Sequence, residues 1–174
     1  MSARYRRSAF RRWRTARFSP LRSSLGGRHE VHTRAAPEAV WQVLAEVTRI
    51  GEWSHECLRA EWLDGATAPA VRARFRGHSR SGFMRWSRVC EFTVVDPPHE
   101  LVWITHGGIY GDTTEWRFRL EPRESGTRIV QQYRVLSLPV WFDRLVHLTV
   151  PAHHDRDPAL QSDLVRLADL CSEG

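Results

Sequence analysis

The sequence predicts an α+β fold organised on one antiparallel meander, and three observations predict it. Six stretches of two-residue periodicity follow one another between residues 58 and 135 with hairpin-length links. A short helical pair is inserted between an earlier strand and that meander. The chain then closes on an amphipathic helix whose apolar stripe needs a sheet to cover.

The clearest strand lies in residues 83–98. Met84, Trp86, Cys90, Phe92 and Val94 fall on one parity and Arg85, Ser87, Glu91 and Thr93 on the other, as in a strand with one dry and one wet face. Arg88 breaks the pattern by sitting on the apolar parity.

Residues 30–34 read as the first strand, Val31 and Thr33 opposing His32 and Arg34. Pro37 and Glu38 open a helix, with proline at the first helical position, an acid in the first turn, and Val40, Val43, Leu44 and Val47 at helical spacing. A second helical turn covers residues 49–53. The meander strands are expected at residues 58–63, 72–78, 83–95, 101–106, 113–121 and 127–135, punctuated by Asp64-Gly65, Ser81-Gly82, Asp96-Pro97-Pro98, Gly107-Gly108 and Ser125-Gly126. Sequential strands with short links favour antiparallel pairing over βαβ units. Trp141, Leu145 and Leu148 form one helical stripe stopped by Pro151. Leu160, Leu164, Leu167 and Cys171 form another, with Asp163, Arg166 and Asp169 opposite. The inner face of the meander is the large surface available to the last helix.

The formal net charge of +6 is unevenly spread. Nine of the 26 basic residues, and no acid, lie in residues 1–28, which leaves 17 basic against 20 acidic residues in the remainder, a net of −3. Every basic residue is arginine. The chain therefore divides into an arginine-rich, disordered extension over residues 1–28 and a domain over residues 29–174. Were residues 4–18 helical, Tyr5, Ala9, Trp13 and Ala16 would share a face with Phe10 beside it and arginines around the rest. That profile suits contact with anionic membrane or with nucleic acid; a plain disordered tail or a misassigned start is the simpler reading of the composition. The three cysteines, Cys57, Cys90 and Cys171, are odd in number and contain no Cys-x-x-Cys pair, which points to a reducing compartment and away from zinc ribbons. No apolar run reaches the roughly 18 residues of a membrane span, and no apolar core follows the arginine pairs as a secretory signal would need. The expected location is the cytoplasm, with peripheral membrane contact open through the tail.

The run from Val31 through AAPEAVWQVLAEVTRIGEWSHECLRAEWLDG, RARFRG, RWSRVCEFTVVDPPHELVW, TEWRFRLEP and SGTRIVQQYRV resembles the polyketide cyclase/START-like superfamily, also called SRPBCC or Bet v 1-like. Its motifs are diffuse: Pro37-Glu38 with Val40-Trp41, Gly51-Glu52-Trp53-Ser54, Phe75-Arg76-Gly77, Glu121-Pro122 and Gly126-Thr127. The resemblance implies a helix-grip fold, a curved antiparallel sheet of about seven strands around a long C-terminal helix with a cavity between them. It also implies binding or transport of lipids, sterols or polyketides, or cyclisation and dehydration of aromatic polyketides. Residues 138–158 depart from the family's pattern and suit a lid or a partner surface.

Strand parity puts Phe75, Trp86, Cys90, Phe92, Trp103, Trp116, Phe118, Ile129 and Tyr133 on the concave face. Such a face suits a flat apolar ligand or simply packs the helix. Burying about 200 Å² of ligand at roughly 25 cal/mol per Å² is worth on the order of 5 kcal/mol before binding costs, so polar anchors must supply selectivity. Arg88 is the leading anchor: on a dry face it needs a ligand carboxylate or phenolate, unless a bulge turns it to solvent. Gln131, on the inner parity with Tyr133, is the second.

Chemistry on the ligand would need an acid or base. His106, Tyr110 and Asp112, around the Gly107-Gly108 loop, are the candidate catalytic group, able to relay protons to a polyketide enol. His29, His32, His55 and His99 read as surface or loop residues, and His78 lies on a wet parity. His147, His153, His154 and Asp155 lack a metal-site spacing, so no metal or other cofactor is expected. No nucleophile elbow, phosphate loop or dinucleotide fingerprint occurs. Three readings follow: a carrier or binder of an apolar, ring-containing molecule; a cyclase or dehydratase; and an interaction protein acting through its tail. No oligomeric state is legible.

Overall fold

The structure is a computed structural model that describes residues 25–108, 111–139 and 156–172. Seven strands form one curved antiparallel sheet: β1 (Gly26–Thr33), β2 (Cys57–Trp62), β3 (Arg74–Ser81), β4 (Met84–Asp96), β5 (Glu100–His106), β6 (Thr113–Arg123) and β7 (Gly126–Ser137). Their order is β1-β7-β6-β5-β4-β3-β2, so the meander runs unbroken and β1 closes onto its last strand. Helix α1 (Pro37–Ala45), a 3-10 turn (Val47–Arg49) and α2 (Ile50–Trp53) bridge β1 to β2, and α3 (Asp157–Ser172) ends the fold. The expected α+β helix-grip architecture is present.

Helix α3 packs on β1, α1 and α2. Its stripe of Leu160, Leu164, Leu167 and Cys171 is buried as its spacing requires. Asp163, expected on the opposite face, is buried as well. It stands three residues after Leu160 and four before Leu167, which places it on the stripe's flank, and the protein fills its hydrogen-bonding capacity rather than exposing it. Asp163 Oδ1 accepts the His55 backbone N–H at 2.9 Å, Oδ2 lies 2.6 Å from His55 Nδ1, and Arg166 closes the cluster. Arg166 Nε donates in turn to the Trp53 carbonyl at 2.9 Å. The group fastens the final helix to the α2–β2 connection.

Two corrections concern strand register. Strand β1 starts at Gly26, not at residue 30, and pairs with β7 from Gly26↔Arg134 to Thr33↔Thr127. Gly26 and Gly27, which the sequence places in the extension, are strand, and Tyr133 leans close over Gly27: a Cβ there would lie 2.5 Å from Tyr133 Cε1. The longer strand puts His29 on the parity of Val31 and Thr33, so His29 is buried rather than at the surface. On β4, the register against β5 shifts between Phe92 and Val94. The bulge exchanges faces: Val95, opposite Leu101, packs on the core, and Val94, opposite Val102, turns outward.

The convex face carries ion pairs. Arg117 and Arg119 meet Glu100 at 2.6 and 2.7 Å, and Arg128 reaches Glu30 and Glu121. Val102 and Val130 are fully buried on this outer face, in register with Arg117 and Arg119. His78, also outward, lies 3.2 Å from Glu61.

Candidate functional site

The concave face has a packed half and a more open half. In the packed half Phe75, Phe92, Trp103 and Phe118 form a continuous aromatic cluster. Ring centroids lie 5.3 Å apart for Phe75–Phe92, 6.1 Å for Phe92–Trp103 and 5.3 Å for Trp103–Phe118. Trp53 of α2 meets Phe118 edge-on at 5.9 Å and caps it. Of the sequence-predicted lining residues, Phe75, Trp103 and Phe118 thus belong to the core.

The face continues past that cluster into smaller and more polar residues. Cys90, Thr105 and Thr114 lie along one row, by the pairings Cys90↔Thr105 and Thr105↔Thr114. Cys90 Sγ is 3.3 Å from Thr105 Oγ1, and burial pushes its thiol pKa up to about 12. Trp86, further along β4, is only half-buried; Trp116, in register with Trp103 and packed at the border of the core, is half-buried too and leans on Tyr133 with centroids 5.5 Å apart.

Arg88 keeps its inward parity, in register with Gly77. Neither a ligand anion nor a bulge accounts for it: the bulge lies further along at Thr93, and the protein itself supplies the partner. Arg88 Nη1 donates to the Gly107 carbonyl at 3.2 Å, and Nη2 lies 3.4 Å from Asp112 Oδ1. Gly107 N–H donates to the Asp112 carbonyl at 2.6 Å, which holds that residue beside Arg88. Glycine is required at 107, because a Cβ there would fall 1.9 Å from Asp112 Oδ1. Arg88 is thereby neutralised within the fold. Of the proposed catalytic group, Asp112 is the acid paired with Arg88, His106 is exposed at the end of β5 on the parity opposite Thr105, and Tyr110 lies outside the described residues.

A second polar cluster lies at the β1–β7 edge. Gln131 is buried and in register with His29. The His29 ring stacks on Tyr133, with centroids 6.5 Å apart and an interplanar angle of 5°, and its Nε2 lies 3.2 Å from Asp157 Oδ1 at the start of α3. His29 Nδ1 and Gln131 Oε1 are buried without a hydrogen-bond partner. Each such group costs about 1–3 kcal/mol. Sequence reasoning reached Gln131 and Tyr133 but missed His29 and Asp157. The available signal was strand parity: His29 is two residues before Val31.

A separate cleft of about 240 Å³, lined by His32, Thr33, Arg34, Arg123, Ser125 and Thr127, opens at the β6–β7 turn, the end of the sheet away from Arg88. Its two threonines are engaged elsewhere, Thr33 Oγ1 with the Ala168 carbonyl at 3.1 Å and Thr127 Oγ1 with the Ala35 carbonyl at 2.7 Å. It is separate from the aromatic face.

A curved antiparallel sheet gripping a C-terminal helix, with an aromatic inner face and a few buried polar groups, defines a helix-grip domain. The chain belongs to the polyketide cyclase / dehydrase and lipid transport family, whose profile matches residues 27–170. Among solved structures it is similar to TTHA0849 from Thermus thermophilus, at 21% identity and TM-score 0.61 over 84% of this chain and 96% of that one. It is similar also to MLL2253 from Mesorhizobium loti, at 21% and 0.57 over 83% and 97%, and to CV1439 from Chromobacterium violaceum, at 12% and 0.62 over 85% and 97%. At these identities the likeness concerns the fold alone. Among curated proteins, none matches the sequence. Among the described residues no helix is long and apolar enough to cross a membrane.

Proposed function

We propose that the chain binds or carries a mainly apolar, ring-containing small molecule, of lipid, sterol or polyketide type, against the open half of the concave face. The observation that carries this reading is that two inner-face tryptophans stay half-buried, Trp116 at the border of the packed cluster beside Trp103 and Trp86 further along β4, on the same face as Cys90 and Tyr133. Aromatic walls give a flat ligand large contact area with few rotors to freeze. The Arg88–Asp112 pair at the loop end presents a neutral, hydrogen-bonding rim rather than a bare cation, so a ligand anion is not required there. Family membership supports the same ligand class. The test is native mass spectrometry and lipid extraction of the purified chain, followed by a thermal-shift screen of fatty acids, sterols and aromatic polyketides. Co-purifying ligand or a clear stabilisation is expected; an interior that no member of the three classes stabilises would overturn the reading.

Cyclase- or dehydratase-type turnover is the alternative, favoured by the family's description and by the half-buried carboxylate of Asp112 beside Arg88. Under it, Asp112→Asn abolishes turnover of an aromatic polyketide while binding persists; equal loss of both assigns Asp112 to structure.

A further inference from the structure

His29 and Gln131 face each other across β1 and β7 as register partners, and each is more than nine-tenths buried. Their vacant atoms, His29 Nδ1 and Gln131 Oε1, make no hydrogen bond. In the neutral ring, Asp157 Oδ1, 3.2 Å from His29 Nε2, favours the proton on that nitrogen and makes Nδ1 the acceptor. Register partners carry Cβ atoms about 5 Å apart, so one small group between them reaches both. A hydroxyl fits this pair: its O–H donates to Nδ1, and its oxygen accepts from the Gln131 amide, which turns to offer N–H where it now offers oxygen. A carboxylate has no proton to offer Nδ1 of the neutral ring. The Tyr133 ring stacked on His29, with Trp116 against Tyr133, supplies a flat wall beside the polar pair.

We propose that His29 and Gln131 form a binding site for an un-ionised, ring-borne hydroxyl, that of a phenol or a sterol-type alcohol. The proposal rests on the reading of the concave face as a ligand surface and extends it to the β1–β7 edge, where Gln131 stands in register with Phe118 at the border of the packed half.

The test uses the full chain and three matched probes, 2-naphthol, 2-methoxynaphthalene and 2-naphthoate, measured by calorimetry. The wild type is expected to bind 2-naphthol about tenfold more tightly than the methoxy compound, and naphthoate more weakly than either. Gln131→Met is expected to bring the naphthol-to-methoxy ratio to about one. A preference absent from the wild type, or surviving Gln131→Met, overturns this proposal and leaves the pocket reading standing. Failure of all three probes to bind counts against the pocket itself and takes the proposal with it. A measurement independent of any variant is the ¹⁵N resonance of His29 Nδ1 in the wild type. It is expected to shift with 2-naphthol and not with 2-methoxynaphthalene. An Nδ1 that already holds a Gln131 N–H or a water, and that naphthol does not displace, overturns the proposal.

Discussion

Arg88 on β4 and Asp112 just before β6 stand with Nη2 and Oδ1 3.4 Å apart, so the one arginine on the apolar parity of its strand carries a counter-charge from within the protein. Both side chains are largely shielded, at 18% and 22% exposure. Removing one partner takes this counter-charge from a largely shielded group. Arg88→Met and Asp112→Asn are each expected to lower stability by about 1–3 kcal/mol. In a double-mutant cycle by urea denaturation they are expected to couple by about 0.5–3 kcal/mol. Strict additivity would assign the two residues independent roles. Gly107→Ala, which drives a Cβ into Asp112, is expected to imitate Asp112→Asn.

The His55–Asp163 contact makes the attachment of α3 sensitive to pH. The hydrogen bond to Asp163 is the largest influence on His55 and raises its pKa above the ordinary 6.5, with burial opposing. A pKa raised by folding contributes stability in full below the unfolded value, and the contribution is lost as pH rises through the folded value. The melting temperature of wild type over His55→Asn is therefore expected to be greatest below about pH 6.5 and to shrink at higher pH. A gap that widens with pH would contradict this.

Trp103 and Trp86 separate core from wall. Trp103 stacks on Phe118 with an interplanar angle of 16° inside the aromatic cluster, and Trp103→Ala is expected to cost about 3–5 kcal/mol in a denaturation experiment. Trp86, half-buried on the open half, is expected to tolerate alanine with a smaller loss while weakening ligand-induced thermal shifts. Comparable destabilisation by both would place Trp86 in the packed core.

The cysteines are expected to behave as inert thiols. Burial pushes the pKa of Cys90 up to about 12 and that of Cys171 up to about 11, which leaves little thiolate at neutral pH. With an aromatic disulfide reagent at pH 8, native protein is expected to react slowly, Cys57 first because it alone of the three is not buried. Fast labelling of Cys90 without denaturant would show that the inner face opens readily.

The boundary of the arginine-rich extension has a direct test. Gly26, Gly27 and Arg28 pair with Arg134, Tyr133 and Gln132, and the Leu25 carbonyl accepts the Val135 N–H at 2.8 Å. A chain starting at Leu25 is expected to melt with the full-length protein. One starting at Glu30, which removes those pairings and His29, is expected to melt several degrees lower. Equal melting of the two would mean that the first half of β1 contributes nothing to stability.

What the sequence determined by itself is whatever a local period can carry. Alternation at Trp86, Cys90 and Phe92 and in the strands around it sets the meander, and helical spacing of Leu160, Leu164, Leu167 and Cys171 sets the face that α3 buries. The inner face and two of its polar residues, Arg88 and Gln131, follow from the same parity. Tertiary structure alone decided which partners those residues have. Asp112 reaches Arg88 because the Gly107 N–H at the end of β5 holds the Asp112 carbonyl at 2.6 Å. Val94 and Val95 exchange faces because β4 accommodates one extra residue against β5, and His29 turns inward because β1 pairs with β7 from Gly26 onward, which puts it on the parity of Val31. Each outcome depends on register or on contact between residues distant in sequence. Periodicity reports the direction a side chain takes from its own strand, whereas pairing and burial are set by what the rest of the chain brings against it.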